Sequence, residues 1–434
     1  MNTRYLISNA RYLVTVNENI EILENATILI EGGKITAVNP VTPELSELEV
    51  IDGSDLLVMP GIINCHTHLA MTLLRGWAEG VDLEGFLEKV WVAEAAIMDQ
   101  ATCALGAELG AAEALLSGTT TALDMYFHPQ STHAAAVNVG LRHVTGPIFF
   151  DKPSIDGLAW EERVELAYQW PTFLKDTGGP FIPTFLMPHS VYTDSLEHLK
   201  EVSKIAGDLG ARIHLHVSET QVENNLSQDL YGKTPTEVCL ETGILNRPVT
   251  YAHAVHLNPS DIEIATSKNT SLAHCPGSNL KLSSGIADIT NYMSQGLTVG
   301  LGTDSCSSSN DLNMWAVMRL AANLVSLTQG AEKVDLVQLL RCATIDGAKA
   351  LGLDDRIGSI EVGKEADLIA IDLNALHLTP VHDVLALLFY AVDRLDVKDV
   401  WVNGRRVVAN RQLENVDSED LRVRVNKRVK ELYL

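Results

Sequence analysis

The chain has 434 residues and is 46% hydrophobic, which suits one large α/β barrel with an appendage and makes disorder improbable. With 32 basic against 56 acidic residues the net charge is −24, and no basic run could neutralise a series of phosphates. Nucleic acid and anionic membrane are therefore excluded as partners, and no segment is long and apolar enough to span a bilayer.

At the N-terminus, MNTRYLISNARYLVTVNENI alternates and carries Arg4 and Arg11 early, so it lacks the apolar core of a signal peptide. The six cysteines, Cys65, Cys103, Cys239, Cys275, Cys306 and Cys342, have no paired spacing. Buried thiols in a reducing compartment fit better than a disulfide framework, and a cytoplasmic protein is expected.

The first sixty residues hold short β patterns, ARYLVTV and NATILIEGGKITAVN, the second turning back at Gly32-Gly33. Near the other end GSIEVGKEADLIAID and VKDVWVNGRRVVANRQ repeat that style, with Asn403-Gly404 as a hairpin signal. Residues 1–57 and 366–434 are accordingly expected to form one small β-sandwich domain from both chain ends.

Between them eight apolar strand-like runs recur: VMPGIINCHTHL, TTTALDMYF, RHVTGPIFFD, FIPTFLMPHS, RIHLHVSE, VTYAHAVH, TSLAHCP and LTVGLGTD. Amphipathic segments such as DSLEHLKEVSKIAGDLGA separate most of them, as parallel β/α units require. Eight such units predict a (β/α)8 TIM-type barrel over residues 58–365, with its chemistry at the carboxyl ends of the strands.

The polar residues fall at those ends. His66 and His68, two apart on one strand, project from the same face. His214 and His216 lie in the fifth run with Glu219 three residues on, His253 and His256 end the sixth, His274 lies in the seventh and Asp304 closes the eighth. A lone histidine near a strand end is more often a hydrogen-bonded structural residue than a ligand. The shared position decides otherwise, because strand ends converge on one pocket. Histidines and a carboxylate gathered there form a mixed nitrogen/oxygen set suited to Zn²⁺, with Fe²⁺ or Mn²⁺ as alternatives.

The motifs PGIINCHTHLAMTLLRG, HVSET, AHCPGSNLKLSSG, LGTDSCSSSNDLNM and ATIDGAKALG, in this order and across nearly the whole chain, resemble the amidohydrolase superfamily. Within its cytosine/guanine/adenosine deaminase and triazine chlorohydrolase branch, they look very like the methylthioadenosine/S-adenosylhomocysteine deaminases. The resemblance implies His66, His68, His216 and Asp304 as metal ligands and Glu219 and His253 as the proton-transfer pair, with Asp304 also helping to orient the attacking water. It implies Glu94 on the ribose hydroxyls and His189 on the purine. The fourth run has no Lys of the kind that bridges two ions in related branches, so one divalent metal is expected.

Trp77, Phe86 and Trp91 are candidate walls for an aromatic base, although large aromatics in amphipathic segments are more often core. S-adenosylhomocysteine-using relatives tend to carry an Arg after the third strand, where RHVTGPIFFDKPS offers only Lys152. The resemblance thus implies deamination of a small-molecule purine nucleoside, 5′-methylthioadenosine or adenosine before S-adenosylhomocysteine. A triazine, pterin or guanine-type ring hydrolase and a non-catalytic scaffold are the alternatives. The roles of His214, His256 and His274 and the oligomeric state, a homo-oligomer included, stay open.

Overall fold

The structure is a computed structural model and describes residues 4–40, 48–151 and 154–432. Lys152 falls outside the described residues.

Eight parallel positions close a barrel. Its strands are Ile62–His68, Thr119–Asp124, Arg142–Val144 continued by Ile148–Phe149, Phe185–Pro188, Arg212–Val217, Val249–His253, Ser271–His274, and Thr298–Leu301 continued by Asp304–Ser305. These segments are short, and most of their residues are buried on both faces, because helices cover the outside while side chains fill the inside.

The third and eighth strands are each broken, so the barrel is hydrogen-bonded as a six-stranded and a four-stranded arc. Each break coincides with a local feature. At Gly146 a Cβ would lie 2.0 Å from the carbonyl oxygen of Phe185, so only glycine lets the two strands approach. At the other seam Asn64 bridges the gap, its Nδ2 donating to Thr303 Oγ1 at 2.8 Å and its Oδ1 accepting from Thr303 N at 3.1 Å. Beyond that seam Asp304–Ser305 pairs with Thr67–His68, which sets Asp304 beside the first strand's histidines.

Side-chain caps start the helices that follow the strands. Thr220 accepts from the Glu223 N–H to start Gln221–Tyr231, and Asp82 accepts from the Gly85 N–H to start Leu83–Ile97. After the fifth strand the chain turns to helix within a few residues, whereas the first strand is followed by the longer segment 69–82, and residues from both connections line the mouth.

Both chain ends build a second, nine-stranded sheet. Its path runs Gln412–Leu413, Arg405–Ala409, Val397–Val402, Leu368–Asp372, Leu56–Pro60, Arg4–Val14, Ile22–Glu31 and Lys34–Val38, with Leu48–Asp52 pairing along Arg4–Ser8. The hairpins at Gly32-Gly33 and Asn403-Gly404 form as the sequence indicates, with all four residues at positive φ. Their tips abut, since a Cβ on Gly404 would lie 2.5 Å from the Gly33 Cα. Beneath the sheet Ile7, Ile28, Ile30, Val58, Leu368 and Trp401 share one apolar cluster.

Arg142, at the base of the third barrel strand and fully buried, donates to Asp367 at 2.8 and 2.9 Å and to Glu365 at 2.7 Å, tying the sheet to the barrel. The last helix, Ser418–Leu432, returns to the barrel helix Gln100–Leu116, where Arg424 pairs with Glu108. All six cysteines are buried and free. No described helix is long and apolar enough to cross a membrane.

Candidate active site

At the carboxyl ends of the strands lies a cavity of about 470 Å³, lined among others by His68, Glu94, His189, His216, Glu219, His253 and Asp304. His66 stands just beneath, wholly buried. One ligand atom each of His66, His68 and His216 lies within 4.8 Å of the others, and the same holds for His66, His253 and Asp304. Residues from the first, fifth, sixth and eighth strands thus meet as the barrel predicts. His253 stands as near this cluster as the residues expected to be ligands.

The ring nitrogens that face away from the cluster are all occupied. His68 Nδ1 meets the Met125 carbonyl at 2.5 Å, and His216 Nδ1 meets the His189 carbonyl at 2.9 Å. A carbonyl only accepts, so each Nδ1 carries the hydrogen and each neutral ring presents a bare Nε2 lone pair. His253 Nδ1 lies 2.8 Å from Asn279 Oδ1, giving the same tautomer. His66 Nε2 is buried with no hydrogen bond, although Asp304 Oδ1 is 3.3 Å away. An orphaned, buried imidazole nitrogen beside a carboxylate is costly unless a cation takes its lone pair.

Asp304 is held for the same purpose. Its Oδ2 accepts from Ser278 Oγ at 2.6 Å and Ser308 Oγ at 2.7 Å, which leaves Oδ1 toward His66 and His68, 3.3 and 3.2 Å off. Asp304 and His253 both sit at positive φ, +61° and +67°. That conformation is uncommon for residues other than glycine, and at a functional site its cost is borne by the surrounding structure.

Burial pushes the His66 imidazole down to about 4 and holds His216 well below its ordinary value, so both rings are neutral ligand candidates. Burial, reinforced by the Asp304 charge, pushes the Glu219 carboxyl up to about 8. Glu219 Oε2 stands 3.6 Å from His253 Nε2, too far for a direct hydrogen bond and close enough for one reacting atom or water to touch both. Ser218, at φ +52°, turns the chain there, and the Glu219 N–H donates to Glu223 Oε2 at 2.7 Å.

The outer wall comes from helix Leu83–Ile97, whose Leu83, Phe86, Leu87, Val90 and Glu94 share one face, joined by Trp91, Phe150 and Ile155. Glu94 is buried at 5% exposure, and Tyr126 donates to its Oε1 at 2.7 Å. Burial, opposed by that hydroxyl, brings its carboxyl up to about 7. His189 lines the cavity beside His216, ring centroids 4.6 Å apart, its Nδ1 3.2 Å from Thr193 Oγ1.

Phe86 and Trp91 line the cavity as expected of candidate base walls. Trp77 does not, lying 46% exposed on the turn at Gly76. Of the histidines left open, His256 Nε2 donates to the Ser284 carbonyl at 2.6 Å, and His274 is buried outside the cavity lining. His214 contacts His66. Sequence reasoning missed Ser278, Asn279 and Ser308, which sit inside the quoted motifs AHCPGSNLKLSSG and LGTDSCSSSNDLNM. It also missed Tyr126 and Glu223; the only sequence signal for them was their nearness to a strand end.

The sequence profile of the amidohydrolase family matches residues 57–407. The chain belongs to the amidohydrolase family. This amidohydrolase is 37% identical over 429 residues, covering 98% of it and 99% of the relative, to a 5-methylthioadenosine/S-adenosylhomocysteine deaminase of Thermoanaerobacter pseudethanolicus. Its structure resembles that of an adenosine deaminase from Xanthomonas campestris with bound zinc, at TM-score 0.94 and 34% identity over 99% of this chain and 98% of that one. It also resembles an atrazine chlorohydrolase from Arthrobacter aurescens in complex with zinc, at TM-score 0.89 and 27% identity over 98% and 100% of the two chains.

Proposed function

We propose that this amidohydrolase is a divalent-metal-dependent aminohydrolase that deaminates adenine nucleosides with a neutral 5′ substituent, 5′-methylthioadenosine or adenosine, to the inosine analogue and ammonia. The observation that carries the reading is the convergence of the Nε2 atoms of His66 and His68 on Asp304 Oδ1, with His216 clustered beside them and the pair Glu219 and His253 adjacent. Deaminase-named relatives across the whole length of the chain support the same chemistry.

His66, His68, His216 and Asp304 would hold one ion, and the nitrogen-rich donor set suits Zn²⁺. Such an ion makes hydroxide available at neutral pH by lowering the pKa of water to about 7. Glu219 carries the proton from the attacking water to the ring nitrogen next to the amine-bearing carbon, and its raised proton affinity suits it to that transfer. His253, its Nδ1 hydrogen fixed on Asn279, offers Nε2 as an acceptor that orients the water. Asp304, with Oδ2 occupied by two serines, keeps Oδ1 in place as water adds and ammonia leaves.

Glu94 supports a nucleoside over a bare ring, since a buried carboxylate in the cavity lining can accept from both ribose hydroxyls. His189, in the cavity lining beside His216, supports recognition of the purine. Among the described lining residues there is no Lys or Arg, which disfavours the amino acid carboxylate of S-adenosylhomocysteine.

Ammonia release from 5′-methylthioadenosine, adenosine, S-adenosylhomocysteine, guanine and a pterin, together with chloride release from a chlorotriazine, tests the reading. Neutral adenine nucleosides should be turned over fastest. Preference for a pterin or triazine would transfer the site to ring-hydrolase chemistry, and no turnover at all would favour a scaffold. Elemental analysis should return about one divalent ion per chain.

A further inference from the structure

We infer that His214 is a positioning residue for His66, fixing through an imidazole-to-imidazole hydrogen bond the tautomer in which His66 binds metal. His66 differs from its neighbours. His68 and His216 each place Nδ1 directly on a backbone carbonyl, whereas His66 Nδ1 lies 2.8 Å from Nε2 of a second imidazole, His214. Both rings are wholly buried, so no bulk water competes for these atoms.

The direction of the relay follows from its far end. His214 Nδ1 lies 2.8 Å from the Thr250 carbonyl, which only accepts, so the hydrogen sits on His214 Nδ1. In a neutral ring Nε2 is then the acceptor. His66 must in turn carry its hydrogen on Nδ1, and its Nε2 lone pair is left facing Asp304, the nitrogen that has no hydrogen bond of its own. Thr250 is itself fixed, its hydroxyl donating to the Ala350 carbonyl at 2.7 Å. A backbone oxygen two bonds removed thereby sets which nitrogen of His66 is free.

His214 and His216, two apart on one strand, face the same way but at different depths: His216 lines the cavity, and His214 lies a layer below it, behind His66. Groups behind a metal ligand that fix its tautomer and orientation are typically worth about 10–100-fold in metal affinity.

The inference rests on the reading of His66 as a metal ligand. The test loads wild type, His214→Leu and His214→Gln with zinc and follows release of the ion to a chromophoric chelator, alongside thermal unfolding of each zinc-free form. Leu keeps bulk and loses both hydrogen bonds. Gln can accept from His66 and donate to Thr250. His214→Leu should surrender zinc at roughly 10–100-fold lower chelator concentration, while His214→Gln stays within about threefold of wild type.

Two results would overturn the inference: His214→Leu holding zinc as tightly as wild type, or His214→Gln losing it as readily as His214→Leu. His214→Met replaces His214→Leu if that variant does not fold, and failure of both to fold would assign His214 to packing alone. A wild-type protein that holds no zinc would sink the metal reading instead.

Discussion

The floor and the outer wall of the cavity are lined by side chains of opposite kinds. On the floor His66, His68, His216, His253 and Asp304 each have a second atom tied to a fixed partner, so every side chain presents one chosen lone pair. On the wall Leu83, Phe86 and Val90 offer shape and no direction, and Glu94 with its Tyr126 partner is the one carboxylate on that helical face. The floor therefore sets which reaction can occur, and the wall sets which molecule is brought to it.

The sharpest way to break this division is at the floor. Removing the metal with a chelator, or replacing His68 by Ala, should reduce turnover to background, and zinc should restore the wild type alone. Retained turnover after complete removal, confirmed by elemental analysis, would mean that the converging lone pairs serve another purpose.

Next in size is Glu219→Gln, which keeps shape and hydrogen bonding but cannot shuttle a proton. Turnover should fall by roughly a hundredfold or more with zinc content unchanged. Loss of zinc in the variant would recast Glu219 as a ligand.

At the wall the effect should be smaller and confined to recognition. A buried carboxylate deprived of both ribose hydroxyls loses on the order of 2 kcal/mol, so wild type should prefer 5′-methylthioadenosine to its 2′,3′-dideoxy analogue by roughly thirtyfold in kcat/KM. Glu94→Ala should compress that ratio. Equal treatment of the two nucleosides by wild type would detach Glu94 from the sugar.

The smallest expected effect lies in the stability of the metal-free protein, where the imidazoles with lowered pKa and the buried carboxyls respond to pH with opposite signs. His66, His216 and His253 have lowered pKa values in the fold, so the unfolded chain takes up protons first, and stability falls as pH drops below about 6.5. Glu94, Glu219 and Glu223 are raised to about 7, 8 and 7 from 4.5, so the folded chain keeps protons that the unfolded one has lost, and stability falls as pH rises toward 8. Melting temperatures of the metal-free protein should peak between about pH 5 and 6. Glu94→Gln should flatten the alkaline limb by at most about 1.4 kcal/mol per pH unit. A monotonic rise to pH 8 would contradict the buried carboxyls.

How far the sequence carries this picture depends on how local each feature is. The eight runs and the two hairpins are visible because burial on two faces leaves continuous apolar strands and because Asn-Gly and Gly-Gly mark tight turns. The breaks in the third and eighth strands are not, since they arise where Gly146 meets the Phe185 carbonyl and where Asn64 meets Thr303 across the ring. Paired histidines two apart announce themselves in HTH and HLH alike. Their roles differ by depth in the barrel, so His214 and His216 cannot be told apart by spacing. The partners that choose each tautomer are largely carbonyl groups, which every residue carries and no sequence pattern displays. Glu94 was legible only through the family resemblance, whereas Tyr126, its partner from another strand, was not legible at all.

The pairing of Leu56–Pro60 with Leu368–Asp372 sets a clock on synthesis. Strand Leu56–Pro60 is buried throughout in the finished molecule, yet the edge that it offers to Leu368–Asp372 has no mate until about 300 further residues are made, some 15–60 s at 5–20 residues per second. During that interval a bare apolar edge stands ready to pair with another nascent chain. The barrel must close behind it before the last strands arrive, so slowed translation of the barrel should show first as aggregation of the N-terminal segment.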